Sequence, residues 1–379
     1  MRRSILSIKF DYKTNGAQQS DQNSASSIYR RLGFEVTECF VDLITKQVRF
    51  YPEKDLQKLK ICVKLTVLIK YFFYLIINLD GSQREFYTLD NFYKILIFTK
   101  SLDHPIVIAE NSDLTFLTLV AKCCRYTRSV NFAPIHIYKE MGITKATFRF
   151  LPKLTSVIFE RICNNILSIS VDDCNLYKKI PSSKKIEVLP LRNLLLHQKI
   201  PFNSIDFESI EPNFTLLAST YNVGHNLQNL HFFHSAISGL QIDNIKFNIY
   251  GDKLPNLKFD ESVVNIKGWA KDVHQIFDEN DLFVAMFGGT GQMMKIYEPF
   301  SKGKLLIANP DLLKNSQFLP NVHFLPARTP YQFISQISYA INNSFDVKKI
   351  RIRGFELYSQ LFKLEAQLKK LSFFFNEHS

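Results

Sequence analysis

Uninterrupted hydrophobic runs long enough to span a bilayer are missing from this 379-residue chain. The nearest approach, Leu59 to Leu79, is broken by Lys60, Lys64 and Lys70. Three cations inside one stretch argue against a transmembrane span. The opening segment, Met1 to Phe10, has too short an apolar run for a secretory signal. The cysteines Cys39, Cys62, Cys123, Cys124, Cys163 and Cys174 show neither metal-ligand nor redox spacing. They stand in or beside apolar runs and read as reduced core residues of a cytosolic protein. No metal site is evident, so none is expected. The phosphate-loop pattern G-x-x-x-x-G-K-[ST] is absent, and Met294 stands where the third glycine of G-x-G-x-x-G would be. No recognised nucleic-acid motif, internal repeat or low-complexity tract is found, which argues against a nucleic-acid partner.

What is present is globular: 46% of residues are hydrophobic and 22% charged. The length suits two domains. All of the net charge of +12 falls in the first half. Residues 1–200 carry 30 Lys and Arg against 18 Asp and Glu, and residues 201–379 carry 17 of each. A basic half beside a neutral half suggests one domain facing an anionic partner. The Leu59–Leu79 segment makes an anionic membrane surface the better fit, as an interfacial helix with Lys60, Lys64 and Lys70 at its polar boundary. The alternative is a helix packed on its own sheet with the lysine stems reaching outward.

Along the chain, strand and helix patterns alternate. Ile5–Phe10, Phe34–Val41, Pro105–Ala109, Ile166–Ser170 and Ile186–Leu189 read as strands, and Ser24–Leu32 as a helix closed by Gly33. Leu194–Asn213 reads as a polar link. A second series follows, with strands at Phe214–Ala218, Ile245–Tyr250, Val263–Lys267, Leu282–Met286, Leu305–Ala308 and Val322–Phe324. Its helices are Leu227–Ile237, Val273–Phe277, Pro330–Asn342 and Leu357–Phe375. Such alternation predicts α/β domains with parallel sheets.

The most informative stretch runs from Phe283 to Ala308: strand, glycine loop, helix, turn, strand. Gly288, Gly289 and Gly291 allow a tight turn and a close approach to a ligand. Thr290 suits the N-cap of a helix starting near Gly291, whose free N–H groups would favour a phosphate. Met293, Ile296, Tyr297 and Phe300 form the buried stripe at i, i+3, i+4, i+7. Gly291, Lys295 and Glu298 share another face, where a cation suits a diphosphate and a carboxylate suits sugar hydroxyls. The same two charges at i, i+3 also fit an ordinary surface ion pair.

These elements, in this order, resemble retaining glycosyltransferases of the group 1 (family 4) type. The resemblance covers nearly the whole chain. Gly16 before the first helix and Gly33-Phe-Glu-Val36 resemble the family's opening glycine loop and second strand. Leu167 to Tyr177 and Lys185 to Pro190 resemble the strand and turn that close its first domain. Asn265 to Trp269, Asp281 to Phe283, and Gly289-Thr-Gly291 through Lys295, Glu298 and Gly303 to Ala308 resemble its second-domain series. The resemblance implies the GT-B fold, two Rossmann-like domains facing a cleft. Residues 1–195 would bind the acceptor and face the membrane, residues 196–355 would hold a nucleotide-diphosphate sugar, and residues 356–379 would pack back on the first domain. Glu298 would bind the donor ribose. Gly289, Thr290, Gly291 and Lys295 would hold the diphosphate, with Gly16 close by, and Trp269 to Lys271 would lie near the base.

Two departures stand out. Thr290 occupies a position where the family usually carries a second glutamate. The Ser219–Gln228 loop lacks the usual Arg and Lys, leaving His225 or Lys295 to take their part. His136 matches a family histidine near the transferred sugar, although a lone histidine beside an apolar strand is more often structural. Glu110 follows the Pro105–Ala109 strand at the end where ligands collect in such sheets. Glu110 or Asp113 would serve as base in an inverting reaction, whereas a retaining one needs none. The expected activity is sugar transfer to a lipid-linked or cell-envelope glycan, without metal or cofactor, on the inner face of the cell membrane. A nucleotide-sugar epimerase and a non-catalytic glycan- or membrane-binding protein remain the alternatives.

Overall fold

The computed structural model describes residues 4–11, 17–42, 45, 47–52, 89–103, 105–110, 128–132, 165–168, 174, 186–190, 192–196, 200–208, 213–221, 224–238, 245–270, 273–288 and 294–376. The chain divides into two compact units. One is built from Met1–Leu196 and Leu364–Ser379, the other from His197–Gly289 and Met293–Lys363.

The first unit holds a seven-stranded sheet. Its strands are β1 (Ser4–Asp11), β2 (Glu35–Asp42), β3 (Val48–Tyr51), β4 (Ile106–Ala109), β5 (Arg128–Phe132), β6 (Asn165–Ser168) and β7 (Ile186–Val188), in the spatial order β3-β2-β1-β4-β5-β6-β7. Only β3 runs antiparallel, against β2. The central strands β1 and β4 are almost wholly buried, as expected where helices cover both faces of a parallel sheet. Helix α1 (Ala17–Arg31) follows β1 and ends at Gly33, whose φ of 86° is a conformation glycine adopts without a Cβ penalty. Helix α2 (Leu89–Lys100) precedes β4, and a short helix α3 (Arg192–Leu196) follows β7.

The second unit holds six parallel strands: β8 (Asn213–Thr220), β9 (Lys246–Asp252), β10 (Val264–Gly268), β11 (Leu282–Ala285), β12 (Leu305–Ala308) and β13 (Leu325–Pro326), ordered β10-β9-β8-β11-β12-β13. Its helices are α4 (Gly224–Ile237), α5 (Val273–Glu279), α6 (Met294–Ser301), α7 (Pro330–Asn342) and α8 (Ser344–Leu361). The core joins Phe214, Leu216 and Phe247 of the sheet to Leu230 and Phe233 of α4 and Phe333 and Ile337 of α7. Buried Arg351 of α8 donates from Nε to the Gly303 carbonyl at 2.7 Å and from Nη2 to the Asp206 carbonyl at 2.8 Å. It thereby ties the segment before β8 to the turn before β12.

The single helix expected over Leu357–Phe375 is two. Helix α8 ends at Leu361 in the second unit, and α9 (Leu364–Asn376) belongs to the first. There Phe375 meets the Tyr29 and Phe34 rings edge-on, with centroids 6.1 and 5.4 Å away. Val322–Phe324 is not a strand; the pairing segment is Leu325–Pro326. The amphipathic segment Leu59–Leu79, with Lys60, Lys64 and Lys70, lies outside the described residues. Among those described, no helix is long and apolar enough to cross a membrane.

Candidate functional site

In both sheets the order of connection reverses once. The chain adds β9 and β10 to one side of β8, then returns to place β11, β12 and β13 on the other. The reversal lies between β8 and β11, and in a doubly wound sheet ligands collect beyond the carboxyl ends of the strands at such a point. Two segments leave there, the start of α4 after β8 and the Met286–Gly288 exit from β11.

Helix α4 opens with Gly224-His225-Asn226. Asn226 and Asn229 are both buried, and at i, i+3 they share one side of the helix. The Lys295 amine, in the first turn of α6, donates to Asn226 Oδ1 at 2.7 Å. Burial pushes that amine down to about 8. One turn later Glu298 is only 5% exposed. Burial pushes its carboxyl up to about 7, against the pull of the Lys302 charge. Glu298 faces Tyr358 of α8, whose hydroxyl is raised first by burial and then by the Glu298 charge. A cation and a carboxylate whose protonation is balanced near neutrality, at the mouth of a switch point, mark a candidate ligand site.

Asn229 carries the geometry. Its Oδ1 accepts from the amides of Met286 and Phe287 at 2.8 and 2.9 Å. Its Nδ2 donates to the carbonyls of Phe287 and His225 at 2.5 and 2.8 Å. This residue was not singled out in the sequence. Its only signal was an asparagine at an interior position of a helix, where asparagine is a poor helix former.

The residues expected from the sequence divide as follows. His225 lies at the start of α4, and Lys295 and Glu298 lie on α6, the helix that follows β11. His225 is half-buried. Trp269 follows β10, the edge strand, with β9 and β8 between it and β11, and is half-exposed. Gly16, Asp113, His136, Lys271, Gly289, Thr290 and Gly291 lie outside the described residues, and the described part of α6 begins at Met294. Ile296 and Phe300 are buried as the periodicity requires. Glu298 is buried with them, which a surface ion pair would not be. Among the described residues no group of three or more His, Cys, Asp or Glu could hold a metal ion.

Glu110 lies in the first unit, just after β4. Its carboxylate is fully buried and engaged at both oxygens. Oε1 accepts from the Ser7 hydroxyl at 2.6 Å, and Oε2 pairs with the buried Arg192 guanidinium. Arg192 in turn donates to Asp21 Oδ2 from Nε at 3.1 Å and from Nη2 at 2.5 Å, and to the Tyr29 hydroxyl at 3.0 Å. A general base needs an open lone pair toward substrate. Held in this way, Glu110 joins the start of α3 to α1 and β4 instead.

No protein-family model matches the sequence, and neither does any curated protein. The fold does match solved structures. HepE from Anabaena, in complex with UDP, aligns with a TM-score of 0.64 at 12% identity, over 98% of this chain and 98% of that one. Sucrose-phosphate synthase from Thermosynechococcus elongatus aligns with a TM-score of 0.65 at 10% identity, over 99% of each chain. TarM aligns with a TM-score of 0.57 at 12% identity, over 76% of this chain, which spans only 58% of TarM. At these identities the likeness is one of architecture: two Rossmann-like domains in one chain, the GT-B fold.

Proposed function

We propose that this chain is a glycosyltransferase that takes a sugar from a nucleotide-diphosphate donor held by its second unit. The observation that carries the reading is the pairing of Lys295 and Glu298 on α6 beside the start of α4, at the switch point of the second sheet. HepE, of the same fold, is seen with UDP. In this reading Lys295, the α4 amides near His225 and the Gly289-Thr290-Gly291 backbone receive the diphosphate. Glu298 accepts from the ribose hydroxyls, and Trp269 and Lys271 stand on the side of the base. When the bond between the anomeric carbon and the phosphate oxygen breaks, negative charge grows on the leaving diphosphate, where a lysine and helix amides stabilise it most. We assign a retaining course, in which the leaving phosphate takes the acceptor proton and no protein base is required. His136 would then contact the transferred sugar. No metal is required in this scheme.

The acceptor is proposed to be a lipid-linked or cell-envelope glycan, bound by the basic first half, with Lys60, Lys64 and Lys70 resting on an anionic membrane. Liposome co-sedimentation of wild type and a triple Lys→Glu variant tests this; equal binding by both would sink it. The donor assignment is tested by calorimetry of wild type and Glu298→Ala against UDP, GDP, ADP and CMP. A nucleotide that binds wild type and not the variant supports it. No binding by any nucleotide would favour a non-catalytic binding protein.

A further inference from the structure

The side chain of Asn229 is saturated: two donors and two acceptor sites meet four backbone groups. The partners also fix which way the amide points, because two N–H groups face one end and two carbonyls the other. The four groups belong to two different segments. The His225 carbonyl is in the first turn of α4. Met286 and Phe287 form the exit from β11 and lead directly into the glycines. No other side chain could replace all four bonds. Aspartate would set an oxygen against two carbonyls, and serine is too short to span the gap. One turn earlier on the same side of α4, Asn226 receives Lys295. A single helix therefore grips the exit from β11 through Asn229 and the first turn of α6 through Asn226.

We infer that Asn229 is a positioning residue of the donor site, locking the start of α4 to the Met286–Phe287 exit from β11 as one cradle for a nucleoside diphosphate. The inference rests on the glycosyltransferase reading above. It adds that the relative placement of the two anion-facing segments is set by one buried amide rather than by direct ligand contact. Burial alone does not distinguish such a residue from ordinary structure. The second unit supplies the control. Asn280 is also buried: its Oδ1 accepts from Asn248 at 2.6 Å, and its Nδ2 donates to the Ile276 carbonyl at 2.7 Å. Its bonds hold α5 to β9 and touch neither segment.

The test is titration calorimetry of the full-length protein with UDP and with uridine, for wild type, Asn229→Ala and Asn280→Ala, well below each variant's unfolding temperature. Asn229→Ala is expected to weaken UDP binding by about 10- to 100-fold, the scale on which a displacement near 1 Å is felt. Uridine binding should change by less than about twofold, because the diphosphate cradle is what moves. Asn280→Ala is expected to lower the unfolding temperature and leave UDP affinity within about twofold, a change below about 0.4 kcal/mol. Unchanged UDP binding by Asn229→Ala overturns the inference, as does an equal loss in both variants. Should the alanine variant fail to fold, Asn229→Asp, which keeps the oxygen facing the two amides, is expected to show the same selective loss. Its failure to do so is equally decisive. Wild type that binds no nucleotide overturns the glycosyltransferase reading and this inference together, whereas binding by wild type and Asn229→Ala alike overturns the inference alone.

Discussion

The two sheets reverse their strand order in the same way, between β1 and β4 in the first unit and between β8 and β11 in the second, yet treat charge at that point differently. In the first, Arg192, Asp21 and Glu110 are buried and bonded to one another, with the Tyr29 and Ser7 hydroxyls closing the remaining positions. Asp21 and Glu110 hold the guanidinium firmly protonated against the desolvation that opposes it. In the second, burial instead drives Lys295 and Glu298 toward their neutral forms. One topology thus serves two ends. Charge satisfied internally is architecture, and charge left close to neutrality is a place where a ligand's own charge changes the balance.

Breaking the closed network should have the largest effect. Arg192→Met leaves two carboxylates buried without their cation and is expected to cost about 3 to 5 kcal/mol. Thermal unfolding should show the first unit melting earlier, while UDP binding, measured where the protein is still folded, stays near wild type. A parallel loss of UDP affinity would show that the two switch points are not separate. Next comes Glu298→Gln. Losing a charged acceptor for the ribose should weaken UDP by about 10- to 100-fold, read by calorimetry.

The same variant should gain stability, with a definite pH dependence. The folded carboxyl titrates at about 7 rather than the ordinary 4.5. Its contribution is therefore whole below pH 4.5 and is lost as pH rises through 7. Glutamine removes that loss, so the variant should equal wild type at pH 4 and exceed it above pH 7, by at most about 3 kcal/mol. Chemical denaturation at the two pH values decides. UDP affinity itself should peak between about 7, where Glu298 ionises, and about 8, where Lys295 loses its proton. Glu298→Gln should erase the acid limb and Lys295→Met the alkaline one. A flat profile in wild type would remove both residues from the site. The smallest effect belongs to Arg328→Ala, which cuts an exposed, solvent-screened pair with Asp311 at 2.9 Å and should leave the unfolding temperature close to that of wild type.

The apolar runs made most of the framework readable. Parallel strands buried on both faces need continuous Val, Ile, Leu and Phe, so Leu282–Ala285 and Leu305–Ala308 stand out at once. Lys295 and Glu298 were legible because their spacing from the glycines fixes which side of α6 they take. Polar sequence concealed the rest. The first turns of α1 are mostly polar, Gln, Ser, Asp and Asn, so it begins at Ala17, seven residues ahead of the expected Ser24. Helix α3 overlaps the start of the expected Leu194–Asn213 link, and Arg192, just ahead of that link and the centre of the first unit's network, carries no signal of its own. Asn229 could not be found from one sequence. Its role depends on four backbone groups, three of them 57 or 58 residues away, and backbone partners leave no trace in composition or period.

Helix α9 returns to the first unit after the whole of the second has intervened. In order of synthesis the second unit is finished before α9 appears, free to pack while the ribosome is still at work. The first unit must wait with Tyr29 and Phe34 uncovered until Phe375 emerges. A stop codon that removes only the last helix would therefore injure the part of the protein made first.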